Sequence, residues 1–137
     1  MPPDNIQEDR INKIAYRTSS TNIGLGLLSV VASYDLGYEN LENTIDLLDK
    51  MINTVSKFQK WNGHLYNWYD VKNLQPLIPK YVSTVDSGNF IGYLYTLKQF
   101  LLDIQNDDEN VEFSEKIEFM VNTIDEIINN TDFKYLY

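Results

Sequence analysis

Apolar side chains recur at steps of three and four residues through much of this 137-residue chain, and this spacing decides its fold class. Such spacing places apolar residues on one face of a helix. It is clearest over residues 40–60, with Leu41, Ile45, Leu48, Ile52, Val55 and Phe58, and over residues 111–130, with Ile117, Met120, Val121, Ile124, Ile127 and Ile128. Residues 23–36 are apolar on nearly every side, which is typical of a helix buried on several sides. Residues 90–104 have an inward apolar face and few charges. The sequence therefore predicts an all-α chain of four long helices in two antiparallel helical hairpins.

The connection between the second and third helices is long and has no helical pattern. Pro76 and Pro79 exclude a continuous helix there, and Gly63 is expected to close the helix before it. The stretch YVSTV could form a short strand but is too isolated to build a sheet. Because the segment is long and rich in aromatic residues, we predict an ordered, functional loop over residues 61–85. We expect residues 1–137 to form a single helical domain.

The composition excludes several classes of function. Twenty acidic and 11 basic residues give a net charge of −9, which repels nucleic acid and anionic membrane surfaces. The chain has no cysteine and one histidine, so a thiolate or histidine-rich metal site is excluded. We expect no metal and no cofactor. Since no apolar run reaches about 20 residues and the N-terminus lacks a signal-peptide pattern, we expect a soluble, cytoplasmic chain without direct membrane contact.

The segment WNGHLYNWYDVKNLQPLIPKYVSTVDSGN, residues 61–89, concentrates aromatic and hydrogen-bonding side chains. Aromatic rings beside amides and carboxylates suit a neutral saccharide, because its C–H faces pack on rings and its hydroxyls take paired hydrogen bonds. Such a ligand makes no demand for positive charge, which agrees with an acidic chain. The candidate substrate-binding residues of this segment are His64, Asn67, Trp68, Asp70, Asp86 and Asn89.

Each of these residues also has a structural interpretation. Trp68 could cover the ends of helices, and His64 could satisfy a backbone carbonyl. Asp86, with Ser87 and Asn89, offers N-caps for the third helix, while Asp70 could form an Asx-turn. Asp70 and Asp86 could also form an acid/base or nucleophile pair, but the sequence does not supply the separation on which that chemistry depends.

Three stretches carry a resemblance to a known family. YRTSSTNIGLGLLSVVASYDLGY, GHLYNWYDVKNLQPLIPKYVSTVDSGN and the terminal DFKYLY resemble consecutive blocks of the glycoamylase-like central region of cyclic β-1,2-glucan synthases. The resemblance runs from about Ala15 to Tyr137. The middle block is specific, because a chance match over some two dozen residues is improbable.

The resemblance implies both a fold and a function. The family's enzymes are very large bacterial membrane proteins, and this region of them is similar to (α/α)6-barrel glycosidases and is taken to close the glucan ring by transglycosylation. Residues 23–36 and 90–104 would be inner helices of that toroid, and the loop would lie at its cleft. Family members continue for several hundred residues beyond DFKYLY. We therefore expect this chain to be an N-terminal fragment of the region, and we expect the family's catalytic glutamates to lie beyond it.

No catalytic residue is assigned on this basis. The six candidates above map onto the family's blocks as glucan-contacting or loop-supporting residues, and Arg17 is expected to clamp one of the carboxylates. The expected partners are a glucan oligosaccharide, the rest of the parent polypeptide and a second copy of the chain. The isolated chain is expected to be inactive. Two alternatives remain, a non-catalytic carbohydrate-binding domain and a self-associating helical interaction domain.

Overall fold

Four α-helices and three pairs of two-residue strands make up the computed structural model, which describes residues 1–7 and 13–135. In chain order the elements are β1 (Ile6–Gln7), β2 (Lys13–Ile14), β3 (Arg17–Thr18), α1 (Ser20–Asp35), α2 (Leu41–Ser56), β4 (Lys60–Trp61), β5 (His64–Leu65), β6 (Tyr69–Asp70), α3 (Thr84–Gln105) and α4 (Ser114–Asn130). Two 3-10 helices, Asp108–Phe113 and Phe133–Tyr135, lie on either side of α4. The predicted all-α fold of antiparallel helical hairpins is confirmed.

Side-chain caps fix where the helices begin. The Ser19 hydroxyl accepts a hydrogen bond from the Asn22 backbone N–H, and the Asn40 side chain accepts one from the Asn43 N–H. The Ser83 hydroxyl caps α3 through the Asp86 N–H, so α3 begins six residues before the predicted Phe90. Each cap satisfies one of the backbone donors that a helix start leaves open.

The core lies where α1 and α3 pack against each other and against α2 and α4. Its fully buried members come from all four helices and include Ile23, Leu27, Ile45, Leu48, Leu94, Leu97, Leu101, Ile117, Met120 and Ile124. Burying each of these side chains stabilises the fold by about 1.5–3 kcal/mol. The amphipathic helices α2 and α4 bury the predicted stripes. By contrast α1, expected to be buried on several sides, leaves Leu25 half exposed.

The segment between α2 and α3 holds more regular structure than the predicted loop. β4 pairs with β5 in a tight hairpin, and β6 pairs antiparallel with β3, which precedes α1. α2 ends at Ser56, and the Lys60 ammonium group donates to the carbonyls of Val55, Ser56 and Phe58 near that end. The YVSTV stretch, residues 81–85, forms no strand. Its first three residues have no regular structure, and Thr84 and Val85 belong to α3.

Within the described residues, no helix is long and apolar enough to cross a membrane. The same residues contain no group of three or more His, Cys, Asp or Glu side chains that could hold a metal ion. Leu136 and Tyr137, which end the DFKYLY block, lie outside the described residues.

Candidate functional site

The β4–β5 hairpin turns through Asn62 and Gly63, which both have positive φ, 47° and 82°. Two consecutive residues of this kind form the type I′ turn that Asn-Gly favours between strands. Gly63 was predicted to close α2, but it lies in the hairpin turn instead. α2 has already ended at Ser56, seven residues earlier. The Asn-Gly pair was the sequence signal for this hairpin.

His64 is buried in the hairpin and both of its ring nitrogens have partners. Nε2 lies 2.5 Å from the Asp132 carbonyl oxygen, and Nδ1 lies 2.5 Å from the Ser87 hydroxyl on α3. A carbonyl oxygen can only accept, so Nε2 carries the proton and the Ser87 hydroxyl donates to Nδ1 in the neutral ring. The imidazole thus joins the hairpin, the start of α3 and the segment after α4.

A polar cluster lies where the N-terminal ends of α1 and α3 meet the connecting segment. One Asp86 carboxylate oxygen accepts a hydrogen bond from the Thr21 hydroxyl at 2.6 Å. Its other oxygen accepts from the Asn67 amide nitrogen at 2.8 Å in the amide orientation that gives both ends of this side chain a hydrogen-bond partner. The Asn67 amide oxygen in turn accepts from the Tyr81 hydroxyl at 2.8 Å and from the Trp68 indole N–H at 2.7 Å. We call Thr21, Asn67, Trp68, Tyr81 and Asp86 the polar cluster.

Arg17 reaches the polar cluster through the face of Trp68. Its guanidinium carbon lies 4.5 Å from the centre of the indole ring, a cation–π contact. The same guanidinium donates to the Asp4 carboxylate at 3.4 Å. Arg17 was predicted to pair with Asp70 or Asp86. In the structure it pairs with Asp4 instead.

Asp70 is held in a local turn. Its Oδ1 accepts from the backbone N–H groups of Lys72 at 2.7 Å and of Asn73 at 3.2 Å, which is the geometry of an Asx-turn. Asp70 faces Arg17 across the β3–β6 ladder through the backbone. The Asp70 carboxylate therefore shapes the loop, whereas the Asp86 carboxylate joins two helices to it.

The structure brings four of the seven predicted residues, Arg17, Asn67, Trp68 and Asp86, into direct contact in or against the polar cluster. His64 is joined to the start of α3 through Ser87, and Asn89 is exposed on the second turn of α3. Thr21 and Tyr81 were not among the predicted site residues. Thr21 lies in the capping run TSSTN, which gives no sign of its long-range carboxylate partner.

Tyr69 follows Trp68 in the chain and fixes the backbone of the segment that leads to the cluster. It is fully buried, its hydroxyl donates to the Gln59 carbonyl at 2.6 Å, and it accepts from the Tyr66 N–H at 2.9 Å. Burial raises the pKa of the Tyr69 hydroxyl well above its ordinary value. It therefore remains a neutral hydrogen-bonding group that holds the backbone of Tyr66 in place.

The cluster offers a set of hydrogen-bonding groups beside aromatic rings. Trp68 is half-buried and Tyr81 is 48% exposed. The Arg17 guanidinium lies against the Trp68 ring, and the Asn67 amide and Asp86 carboxylate next to the rings are fixed by their own hydrogen bonds. Such pre-organisation lowers the entropy cost of binding.

Comparison with curated proteins identifies a relative of this chain. It is 48% identical over 94 residues, 69% of this chain, to cyclic β-(1,2)-glucan synthase NdvB of Rhizobium meliloti strain 1021. The aligned part is 3% of that protein. No family model matches the chain. The resemblance to cyclic β-1,2-glucan synthases that the sequence blocks predicted is confirmed.

Solved structures share the fold at low sequence identity. A glucoamylase-like protein from Bacteroides caccae superposes with a TM-score of 0.79 at 16% identity, over 97% of this chain and 32% of that one. The β-1,2-glucanase of Parabacteroides distasonis gives 0.74 at 16%, over 88% and 17%. The endo-β-1,2-glucanase of Chitinophaga pinensis, in complex with sophorotriose and glucose, gives 0.73 at 17%, over 88% and 28%. The helical hairpins therefore have the fold of a fragment of a helical (α/α) toroid, in agreement with the prediction.

Proposed function

We propose that this chain, a relative of cyclic β-1,2-glucan synthases that spans a small part of their length, supplies one wall of a β-1,2-glucan cleft. The sequence match to the glucan synthase carries the proposal. The polar cluster supports it, because hydrogen-bonding groups lie beside half-exposed rings at one end of α1 and α3. In the whole enzyme this wall would hold glucan during transglycosylation.

The proposed contacts use both kinds of group. The free surfaces of Trp68 and Tyr81 would pack against the C–H face of a glucosyl ring, while Arg17 would donate hydrogen bonds to its hydroxyls. Asn67, which is buried and already bonded to Asp86, Trp68 and Tyr81, would hold the two rings in place. Asp86 would position Asn67, because its carboxylate accepts a hydrogen bond from the Asn67 amide nitrogen. In this proposal Asp70, His64 and Asn89 either support the loop or contact the glucan at the edge of the site.

A non-catalytic carbohydrate-binding role is the second candidate. It is favoured by the hydrogen bonding of the two candidate carboxylates, because Asp70 is used by an Asx-turn and Asp86 by Thr21 and Asn67. Thin-layer chromatography of the chain incubated with β-1,2-gluco-oligosaccharides tests whether the chain has catalytic activity by itself. We expect no new products from this chain alone, and transglycosylated products would contradict that expectation.

Calorimetric titration with β-1,2-gluco-oligosaccharides tests glucan binding directly. We expect saturable binding to the 137-residue chain and much weaker binding of β-1,4-linked oligosaccharides of equal length. Arg17→Met should weaken binding by about 1 kcal/mol, roughly fivefold, because one charged hydrogen-bond donor is lost.

Lys72→Met is the matched control. Lys72 also lies over an aromatic ring, that of Tyr16, at 4.2 Å from its centre, but it lies outside the polar cluster. Its replacement should leave the affinity unchanged. Absence of binding by the unaltered chain, or equal losses in both variants, would overturn the proposed function.

A further inference from the structure

A cavity beside the polar cluster is lined by three aromatic residues. It has a volume of about 350 Å³ and is bounded by Trp61, Tyr66, Lys80, Tyr81 and Val82. We call it the aromatic cavity. This volume is near the lower end of the range for small-molecule sites, about 300–1,000 Å³. It suits a short saccharide segment.

Two of the three rings of the aromatic cavity are exposed, and the third, that of Tyr66, is partly buried, although the backbone of all three is fixed. Trp61 is 39% exposed and Tyr81 is 48% exposed. The Tyr66 N–H donates to the buried Tyr69 hydroxyl, and the Tyr81 carbonyl accepts from the Asn67 N–H at 2.7 Å. Trp61 pairs with His64 in the β4–β5 hairpin. Each aromatic residue is thus anchored to a hydrogen-bonded backbone while part of its surface remains in water.

The charge of the cavity favours a neutral, hydroxyl-rich ligand. Among the described residues that line it, Lys80 is the only charged one, and none of them carries a carboxylate. The lysine ammonium group can donate up to three hydrogen bonds. Aromatic surface with one donor group is a suitable lining for a sugar ring, which presents C–H faces and acceptor oxygens.

The cavity is continuous with the polar cluster through one residue. The ring of Tyr81 lines the cavity, and its hydroxyl donates to the Asn67 amide oxygen inside the cluster. A saccharide of two or more units could therefore contact both regions at once. Neither Trp61 nor Tyr66 was among the predicted site residues.

We propose that the aromatic cavity is a second saccharide subsite, in which Trp61, Tyr66 and Tyr81 bind a glucosyl unit adjacent to the one at the polar cluster. This inference rests on the proposed function, because it takes the ligand to be a β-1,2-glucan chain. It goes beyond that function in adding a separate location and a separate set of residues. The chain would hold at least two neighbouring units of the glucan.

The two tryptophans allow the regions to be observed separately in one protein. Trp61 lies in the aromatic cavity and Trp68 in the polar cluster, so 5-fluorotryptophan labelling gives one fluorine NMR signal from each. The variants Trp61→Phe and Trp68→Phe assign the signals. The experiment itself is a titration of the unaltered labelled chain with a β-1,2-linked glucose trisaccharide.

We expect both signals to move and to saturate with one dissociation constant. Movement of the Trp68 signal alone would overturn the second subsite and leave the proposed function standing. No movement of either signal would overturn both. An equal movement of the Trp61 signal with glycerol at the same concentration would also overturn the subsite.

Substitution gives an independent measurement. Tyr66→Leu should weaken trisaccharide binding roughly tenfold, because a stacked sugar hides apolar ring surface from water. Tyr38→Leu is the control, since Tyr38 is 81% exposed and lies on the link between α1 and α2. Unchanged affinity in a folded Tyr66→Leu variant would contradict the proposal. If that variant does not fold, the fluorine titration of the unaltered chain still decides the outcome.

Discussion

Gly63 shows how one residue couples the candidate site to the end of the chain's last long helix. Its φ of +82° belongs to the left-handed region, and a Cβ atom built there would overlap the backbone of Asn130 and Thr131. Thr131 also donates from its hydroxyl to the Gly63 carbonyl at 3.3 Å. The hairpin turn and the C-terminal end of α4 therefore require a glycine for two separate reasons, conformation and space.

Gly63→Ala is expected to lower the free energy of unfolding by about 3 kcal/mol or more, since conformational strain and overpacking add. Gly37→Ala is the matched control. Gly37 has nearly the same φ, +81°, but nothing lies within 4 Å of a Cβ built there. It should cost only about 1–2 kcal/mol. Urea unfolding measures both values, and equal losses would contradict the close contact with α4.

Single residues were predicted from the sequence with mixed success, and the reason is physical. Asn67, Trp68 and Asp86 were selected because their side-chain chemistry is visible in the sequence, and the fold places them together. The partner of Arg17 was not predictable, because Asp4 reaches it only through the folding of the N-terminal segment. The choice between functional and structural roles for Asp70 likewise depended on a local turn geometry that many sequences can form.

Among the elements, the N-terminal segment is held across β3 and α1 by the Asp4 carboxylate. The Asn22 side chain donates to it at 3.0 Å, Asn5 donates at 2.9 Å, and Arg17 pairs with it. These interactions, with the hydrogen bond from Asn22 the largest, hold the pKa of Asp4 below its ordinary value. A lowered pKa means that the folded state stabilises the charged carboxylate.

The stability that Asp4 contributes is therefore complete above the ordinary aspartate pKa, about 3.9, and is lost as the pH falls through the lower folded value. We expect the Asn22 side-chain amide signal in NMR spectra to titrate with a midpoint below about 3.9. In Asp4→Asn this titration should be absent. A midpoint at or above about 4 in the unaltered chain would show that the carboxylate gains nothing from folding.

Whole elements were predicted better than their boundaries. The four helices follow from apolar spacing, which is set by burial and survives in any well-packed fold. The start of α3 was placed late because Asp86, Ser87 and Asn89 all have the chemistry of N-caps, whereas Ser83 fills that position. The hairpin was not predicted, although Asn62-Gly63 is a sequence typical of its turn, because two-residue strands leave no alternating pattern.

In the molecule as a whole, several apolar side chains of α1 and α3 remain exposed. Leu25 of α1 is 48% exposed, and Val85 and Tyr95 of α3 are 72% and 55% exposed. Apart from their chain neighbours and the adjoining backbone of α3, no atom of the described residues lies within 4 Å of a Cβ built on Gly88 or Gly92. Exposed apolar surface of this kind favours a polypeptide partner, either further helices of a toroid or a second copy of the chain.

We expect the isolated 137-residue chain to self-associate at high concentration through exposed apolar side chains of α3, including Tyr95. Light scattering should give a mass near twice the 16.0 kDa of one chain. Tyr95→Lys should return it to a monomer, because a desolvated charge opposes apolar contact. Phe119→Lys, on α4 at 62% exposure, should leave the association intact. A clean monomer for the unaltered chain would contradict the expectation.

Backbone amide NMR during titration with a β-1,2-linked glucose trisaccharide shows whether glucan binds at the N-terminal ends of α1 and α3 and the connecting segment. We expect saturable shifts concentrated at residues 17–22, 61–70 and 80–89, with the outward faces of α2 and α4 unaffected. Shifts confined to α2 and α4, or no shifts at millimolar trisaccharide, would contradict this expectation.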